Sequence, residues 1–213
     1  MMNHESEEYI REHSSPEDPL LNELYRFTHL NVVNPNMVSG HLQGLFLEFL
    51  VSISKPLLAL EIGTYTGYSA ICIARALQPE GILHTIDVND ELADISAGYF
   101  ERAGVARKIV SHTGRAQDIV PLLNLKFDFI FIDGDKREYS EYYKLATEHL
   151  SAEGIIIADN VLWGGKASES DSHDPQTRGI IEFNRVVKDD SCVENVILPF
   201  RDGIMLIRRK MRC

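Results

Sequence analysis

Short apolar runs alternate with stretches of helical period from residue 57 to residue 189, and this alternation constrains the fold more than any single motif. A run with no polar interruption suits a strand buried on both faces, as in a parallel sheet whose crossover helices cover it. The strands read as Leu57–Ile62, Ile82–Val88, Lys108–Ser111, Phe127–Asp133 and Gly154–Asp159. Helices are expected over about 67–77, 91–103, 115–123 and 136–150, and over 177–189 after a long polar loop at 160–176. The end breaks the alternation. Val193–Leu198 and Ile204–Arg209 are strands separated by Pro199-Phe-Arg-Asp-Gly203, and Asp-Gly in so short a connection predicts a tight hairpin. The expectation is an α/β fold of seven strands, the last one antiparallel, with helices on both faces.

Two further helices precede the sheet. Asp18 before Pro19 reads as an N-cap and first-turn proline, opening a helix through about Leu30. A second helical pattern runs from about Ser39 to Ile53, with Leu42, Leu45, Phe46, Phe49 and Leu50 on one face. Residues 1–17 read as loosely ordered. The chain divides into an acidic segment and helix at 1–35, acting as a cap or a dimer contact, and one domain at 36–213. The length suits a single large α/β domain. No apolar run approaches the roughly 20 residues of a membrane helix, and the polar start is no signal peptide. Cys72, Cys192 and Cys213 lack metal spacing and read as free thiols in a reducing compartment, which points to the cytoplasm. A net charge of −11 argues against a broad nucleic-acid surface and suits a cationic ligand.

The segment Leu60-Glu-Ile-Gly63-Thr-Tyr-Thr-Gly67-Tyr-Ser69 joins the first core strand to its helix. Glycines there let a ligand approach the backbone, and a helix start offers unpaired N–H groups to an anion. The spacing is Gly-x-x-x-Gly, not the G-x-G-x-x-G of dinucleotide binders. Asp87 ends the second strand, where a carboxylate can take both hydroxyls of a ribose. Glu61, Gly63, Thr64, Tyr65, Ser69 and Asp87 are therefore expected around a nucleoside cofactor that carries a carboxylate rather than a pyrophosphate. S-adenosylmethionine fits, with its ribose on Asp87 and its carboxylate on Ser69 and the helix start. The plain alternative is a tight turn with no ligand.

Two later strands end in oxygen donors. Phe127–Ile132 runs into Asp133-Gly-Asp135-Lys136, and Gly154–Ala158 runs into Asp159-Asn160. If these strands are neighbours, Asp133, Asp159 and Asn160 converge as three hard ligands, which select Mg²⁺, Mn²⁺ or Ca²⁺ over zinc. A vicinal diol chelated there would lose a proton more readily. Lys136 stands beside the set, where a cation and a helix start both favour the neutral amine that a base requires. The plain alternatives are a helix cap at Asp133, a turn at Asp159-Asn160 and a solvated lysine.

Glu61-Ile-Gly-Thr-Tyr-Thr-Gly-Tyr-Ser69, Phe131-Ile-Asp-Gly-Asp-Lys136 and Ala158-Asp-Asn-Val-Leu-Trp163 together resemble the cation-dependent O-methyltransferases, which include catechol and caffeoyl-CoA O-methyltransferases and many small bacterial relatives. The resemblance covers about residues 34–209 and implies the class I, Rossmann-like sheet of S-adenosylmethionine-dependent methyltransferases. It implies that Met37 and Ser39 line the methionine end of the cofactor and that Ala116 and Gln117 meet the adenine. Asp135 becomes a further cofactor contact. Asp133, Asp159 and Asn160 hold the metal, and Lys136 with Asp133 is catalytic. A homodimer is also implied.

The acceptor is less defined. Trp163, the sole tryptophan, is expected to wall its pocket, with Gly164 and Arg178 as further contacts and loop 160–176 as a gate. The plant caffeoyl-CoA enzymes carry Asn where this chain has Gly164, which weakens that acceptor. A catechol-like small molecule is the leading expectation. The same chemistry on a 5-hydroxyuridine of tRNA is the second, with Arg102, Arg107, Lys108 and Arg115 as a local basic face. A cofactor-binding regulator without turnover is the third. The eight histidines show no ligand spacing.

Overall fold

The structure is a computed structural model that describes residues 4–168 and 173–210, without the side chains of residues 4–7. Fifteen elements carry the fold, in the order α1 (His4–Glu12), α2 (Pro19–Asn31), α3 (His41–Ser54), β1 (Leu58–Ile62), α4 (Tyr68–Ala76), β2 (Ile82–Asp87), α5 (Ala93–Arg102), β3 (Ile109–Thr113), α6 (Ala116–Leu123), β4 (Phe127–Ile132), α7 (Tyr139–His149), β5 (Leu150–Ala158), α8 (Pro175–Asp189), β6 (Val193–Leu198) and β7 (Ile204–Arg209). One seven-stranded sheet has the order β3-β2-β1-β4-β5-β7-β6. Among the described strands only β7 runs antiparallel, to β5 on one side and β6 on the other. This is the class I arrangement expected above, hairpin included.

β4 lies at the centre, and Asp128, next to its start, is its one polar residue. Phe127, Phe129, Ile130, Phe131 and Ile132 are all fully buried, each contributing roughly 1.5–3 kcal/mol of transfer free energy. The alternation of a strand sends Ile130 and Ile132 into a cluster with α7 and α8, and Phe129 and Phe131 into a second cluster with α3 and α4. α2 adds Leu21, Leu24 and Thr28 to the side of α3 and α4.

Several boundaries differ from the sequence expectation. Residues 4–12 form α1, although His4-Glu-Ser-Glu-Glu-Tyr-Ile-Arg-Glu12 is too polar to announce a helix by burial. α3 starts at His41, after a separate 3₁₀ turn at Pro35–Met37, because Gly40 sits at φ 90° and interrupts the run. That same break divides Pro35–Ser54, a stretch long and apolar enough by composition to span a membrane, contrary to the expectation above. Its inner face, Gln43, Gly44, Leu47 and Val51, is buried within the domain. β5 begins at Leu150 rather than Gly154, since Leu150 pairs with Phe127 ahead of a register shift. Lys136–Glu138 is a 3₁₀ turn, and α7 follows it. Residues 169–172 of the expected gate, and Cys213, lie outside the described residues.

Candidate active site

The sheet ladder runs one residue beyond the strand ends and lines up three of the predicted positions. Gly63 N donates to Ile86 O at 2.9 Å, Asp133 N to Ile62 O at 2.8 Å and Asp159 N to Ile132 O at 3.0 Å. Gly63, Asp133 and Asp159 therefore sit side by side at the carboxyl edge of β1, β4 and β5, where open α/β sheets take ligands. Gly63 is required there. Its φ is +104°, and a Cβ would overlap the Asp133 carbonyl oxygen.

Asp133, Lys136, Tyr139 and Asp159 form a hydrogen-bonded chain across those ends. Lys136 Nζ donates to Asp133 Oδ1 at 2.7 Å and to Tyr139 Oη at 2.6 Å, and Tyr139 Oη donates to the Asp159 carbonyl at 3.0 Å. Lys136 is buried because α8 lies against its turn: a Cβ at Gly179 would overlap the Lys136 carbonyl oxygen. Asp159 is only 3% exposed. Its Oδ2 accepts from Gln43 Nε2 at 2.7 Å and its Oδ1 from Asn160 N at 2.7 Å. Asn160 is half-buried at φ 58°, and its side-chain amide bonds to no described residue.

Burial pushes the Asp133 carboxyl up to about 6; the Lys136 charge opposes the rise and the Asp159 charge adds to it. Two repelling carboxylates and an uncommitted amide are a donor set that a hard divalent cation satisfies, so the residues fit such an ion. Among the described residues no three His, Cys, Asp or Glu side chains cluster, so Asn160 is needed to complete the set.

The glycine turn after β1 is equally tied. Tyr65 N donates to Asp87 Oδ2 at 2.7 Å and Asn89 N to Asp87 Oδ1 at 2.9 Å, which fixes the Asp87 carboxylate beside the turn. Tyr65 Oη reaches the carbonyls of Val33 and Asn34 at 3.1 and 3.3 Å, strapping the segment before α3 onto the turn. Glu61 is fully buried, and Thr85 donates to its Oε2 at 2.5 Å. That leaves Thr64 as donor to Thr85 across a further 2.5 Å. Burial raises Glu61 to about 8, with Ser69 and Thr85 acting against the rise. Among the described residues Glu61 Oε1 has no hydrogen-bond partner, and a buried acceptor of this kind fits the donor of a bound cofactor.

The resemblance-derived positions are more dispersed. Met37 is 57% exposed in its 3₁₀ turn, and Ser39 precedes α3 rather than opening it. Ala116 is buried at the start of α6. Gln117 Nε2 donates to Glu138 at 2.8 Å and Glu141 at 3.1 Å, while its Oε1 is buried without a partner among the described residues. Asp135 is gripped by the Arg137 guanidinium, which holds its carboxyl below the usual range. Trp163 packs against the cluster of α7 and α8, Gly164 N bonds Asp202 Oδ1 at 2.5 Å, and Arg178 is exposed on α8. Of the four basic residues considered for tRNA, Arg102 is forked on Glu23, Lys108 caps the Leu77 carbonyl at 2.8 Å and Arg115 lies 3.5 Å from Glu138.

Gln43, Tyr139, Gly179 and Arg201 escaped the sequence reading. Gln43 carried a signal, as a lone amide in the apolar run Leu42-Gln-Gly-Leu-Phe-Leu47. The other three are recognisable only once α8 and the β6–β7 hairpin are folded against the strand ends.

Comparison with known proteins places this site in a context. A family profile described as O-methyltransferase matches residues 11–210. A catechol O-methyltransferase of Niastella koreensis is 36% identical over 170 residues, covering 78% of this chain and 74% of that protein. Tricin synthase 2 of Oryza sativa subsp. japonica is also 36% identical over 78% of this chain, but the chain spans only 61% of its length. Among solved structures, an O-methyltransferase of Streptomyces achromogenes involved in tomaymycin synthesis, in complex with SAM, superposes with a TM-score of 0.91 at 30% identity, covering 99% of this chain and 100% of that one.

Proposed function

Because this chain belongs to the O-methyltransferase family and is a SAM-dependent enzyme of that kind, we propose that it methylates a hydroxyl of a catechol-like, vicinal-dihydroxy small molecule with the help of a divalent cation. The observation that carries this reading is the chain Asp133–Lys136–Tyr139–Asp159 at adjoining strand ends, directly beside the Gly63 turn.

Asp87 would take the ribose hydroxyls, Glu61, Met37, Ser39 and Ser69 the methionine end, and Gly63, Thr64 and Tyr65 the backbone side of the cofactor. Ala116, Gln117 and Asp135 complete that site. Asp133, Asp159 and Asn160 would hold the cation, of which Mg²⁺ is the first choice. S-adenosylmethionine supplies an electrophilic methyl group, and the cation supplies a Lewis acid that acidifies the acceptor's hydroxyl.

In its neutral form Lys136 Nζ receives the hydroxyl proton. A neutral amine has two N–H groups and one lone pair, and the two hydrogen bonds of Nζ, to Asp133 and Tyr139, use both N–H groups. The lone pair is then the atom site left for the proton. Tyr139 keeps Nζ from wandering, because its own proton is committed to the Asp159 carbonyl. Holding acceptor and donor in near-attack geometry accounts for most of the rate. Trp163, Gly164 and Arg178 are proposed to flank the acceptor.

The test measures S-adenosylhomocysteine release from catechols, flavonoids, hydroxycinnamoyl thioesters and unmodified or hydroxylated tRNA, each with Mg²⁺ and with excess chelator. Catechol turnover that needs Mg²⁺ and disappears in Asp159→Ala supports the proposal. Full activity in chelator would remove the metal, and turnover of tRNA alone would replace the acceptor.

A further inference from the structure

Asp159 is held by more than its strand. Gln43, fully buried on α3, donates Nε2 to Asp159 Oδ2 at 2.7 Å. The other end of the same amide, Oε1, accepts from Arg201 Nη1, which also donates to the Ser39 carbonyl. The donor inventory makes this arrangement unambiguous. A guanidinium only donates and a carboxylate only accepts, so the amide oxygen must face Arg201 and the amide nitrogen must face Asp159. Arg201 therefore fixes which way round Gln43 sits, and Gln43 in turn fixes the Asp159 carboxylate.

Arg201 reaches this position from the tip of the β6–β7 hairpin, which is bound to the far side of the same aspartate. Val161 N donates to Gly203 O at 3.0 Å, Leu162 N to Asp202 O at 2.9 Å and Gly164 N to Asp202 Oδ1 at 2.5 Å. Phe200 packs its ring 5.5 Å from Phe46 of α3. Arg201 itself stands at φ 51°, a left-handed conformation that a long side chain adopts only when its surroundings hold it. The hairpin tip thus grips the exit of β5 through its backbone and α3 through Arg201, with Asp159 between them.

We infer that Gln43 and Arg201 are positioning residues for Asp159 as a cation ligand. The inference rests on the cation site proposed above. Partners outside the ligand set hold a coordinating carboxylate in one orientation, and their loss typically weakens metal binding by 10- to 100-fold.

The experiment titrates Mn²⁺ into the metal-free enzyme and follows free ion by electron paramagnetic resonance, without acceptor or turnover. Wild type, Gln43→Met, Arg201→Ala and Arg201→Lys are compared, with S-adenosylhomocysteine affinity and thermal melts measured alongside. Gln43→Met keeps the volume and removes both hydrogen bonds. It should weaken Mn²⁺ binding by about tenfold or more, with the S-adenosylhomocysteine affinity of that variant unchanged. Arg201→Ala should weaken it in the same direction, and Arg201→Lys, which restores one donor, should recover part of the loss. If Gln43→Met does not fold, the Arg201 pair carries the comparison alone. Unchanged Mn²⁺ affinity in the folded variants, with wild type binding the ion, overturns the inference. Failure of wild type to bind Mn²⁺ instead overturns the cation site on which it rests.

Discussion

Lys136 has two neighbours at hydrogen-bond distance and is buried under α8, so its amine has one fixed place. Replacing it by methionine keeps the stem and removes the nitrogen. Lys136→Met should lower kcat by about 10²–10⁴-fold, the ordinary worth of a positioned base, with S-adenosylhomocysteine affinity held within about twofold; a kcat near wild type would move the proton elsewhere. Glu61 makes a second prediction. Its folded value of about 8 stands above the ordinary 4.5, so between those values the folded chain binds more protons than the unfolded one, and stability falls as pH rises through the window. Asp133 is shifted the same way, but Glu61→Gln leaves that contribution in place. Melts of the cofactor-free protein from about pH 5 to about pH 8.5 should show a shallower decline for Glu61→Gln than for wild type. Parallel curves would mean that Glu61 is already ionised at neutral pH. Asp133 and Lys136 were legible in the sequence because they are three residues apart and act locally. Gln43 was not, because its partners are 116 and 158 positions away.

Gly179 shows how packing between elements overrides the preference of one helix. It lies inside α8, where alanine would ordinarily be favoured by about 1 kcal/mol. Yet its Cβ would overlap the Lys136 carbonyl and crowd the Arg137 Cα, both backbone atoms with little room to yield. The close approach should win: Gly179→Ala is expected to destabilise the protein by about 1–3 kcal/mol and to lower kcat by displacing the Lys136 turn. Denaturant midpoints and initial rates check both, and a variant as stable and active as wild type would show that α8 can slide. The strands were readable because burial leaves a compositional mark, as Phe129-Ile-Phe-Ile132 does. The hairpin was readable through Asp202-Gly203. The start of β5 was not, since Ser151, Ala152 and Glu153 are polar or small and look like a loop, and the pairing with β4 passes from Leu150 to Ile155 across a register shift. The start of α3 was hidden in the same way, because Met-Val-Ser-Gly-His reads as a smooth helix entry until Gly40 takes φ 90°.

At the scale of the molecule, the site draws on β1, β2, β4, β5, α3 and the β6–β7 hairpin, so its parts meet only in the folded chain. A ligand for that site binds the native state and not the unfolded one, and it stabilises by about 2.7 kcal/mol at one hundred times its dissociation constant. For a chain of 213 residues, each kcal/mol moves Tm by about 2–4 °C. S-adenosylhomocysteine at that excess should therefore raise Tm by roughly 5–10 °C. Mg²⁺ should add a smaller increment that chelator removes while leaving the cofactor's share intact. The net charge of −11 complicates the second part, because an acidic surface gathers divalent ions without any site. Asp159→Ala separates the two sources. It changes the surface charge by one unit in eleven, so diffuse attraction would survive almost whole, whereas binding between Asp133, Asp159 and Asn160 would be lost. A Mg²⁺ increment that persists in Asp159→Ala places the ion on the surface, and one that vanishes places it at the strand ends, next to the lysine that needs it.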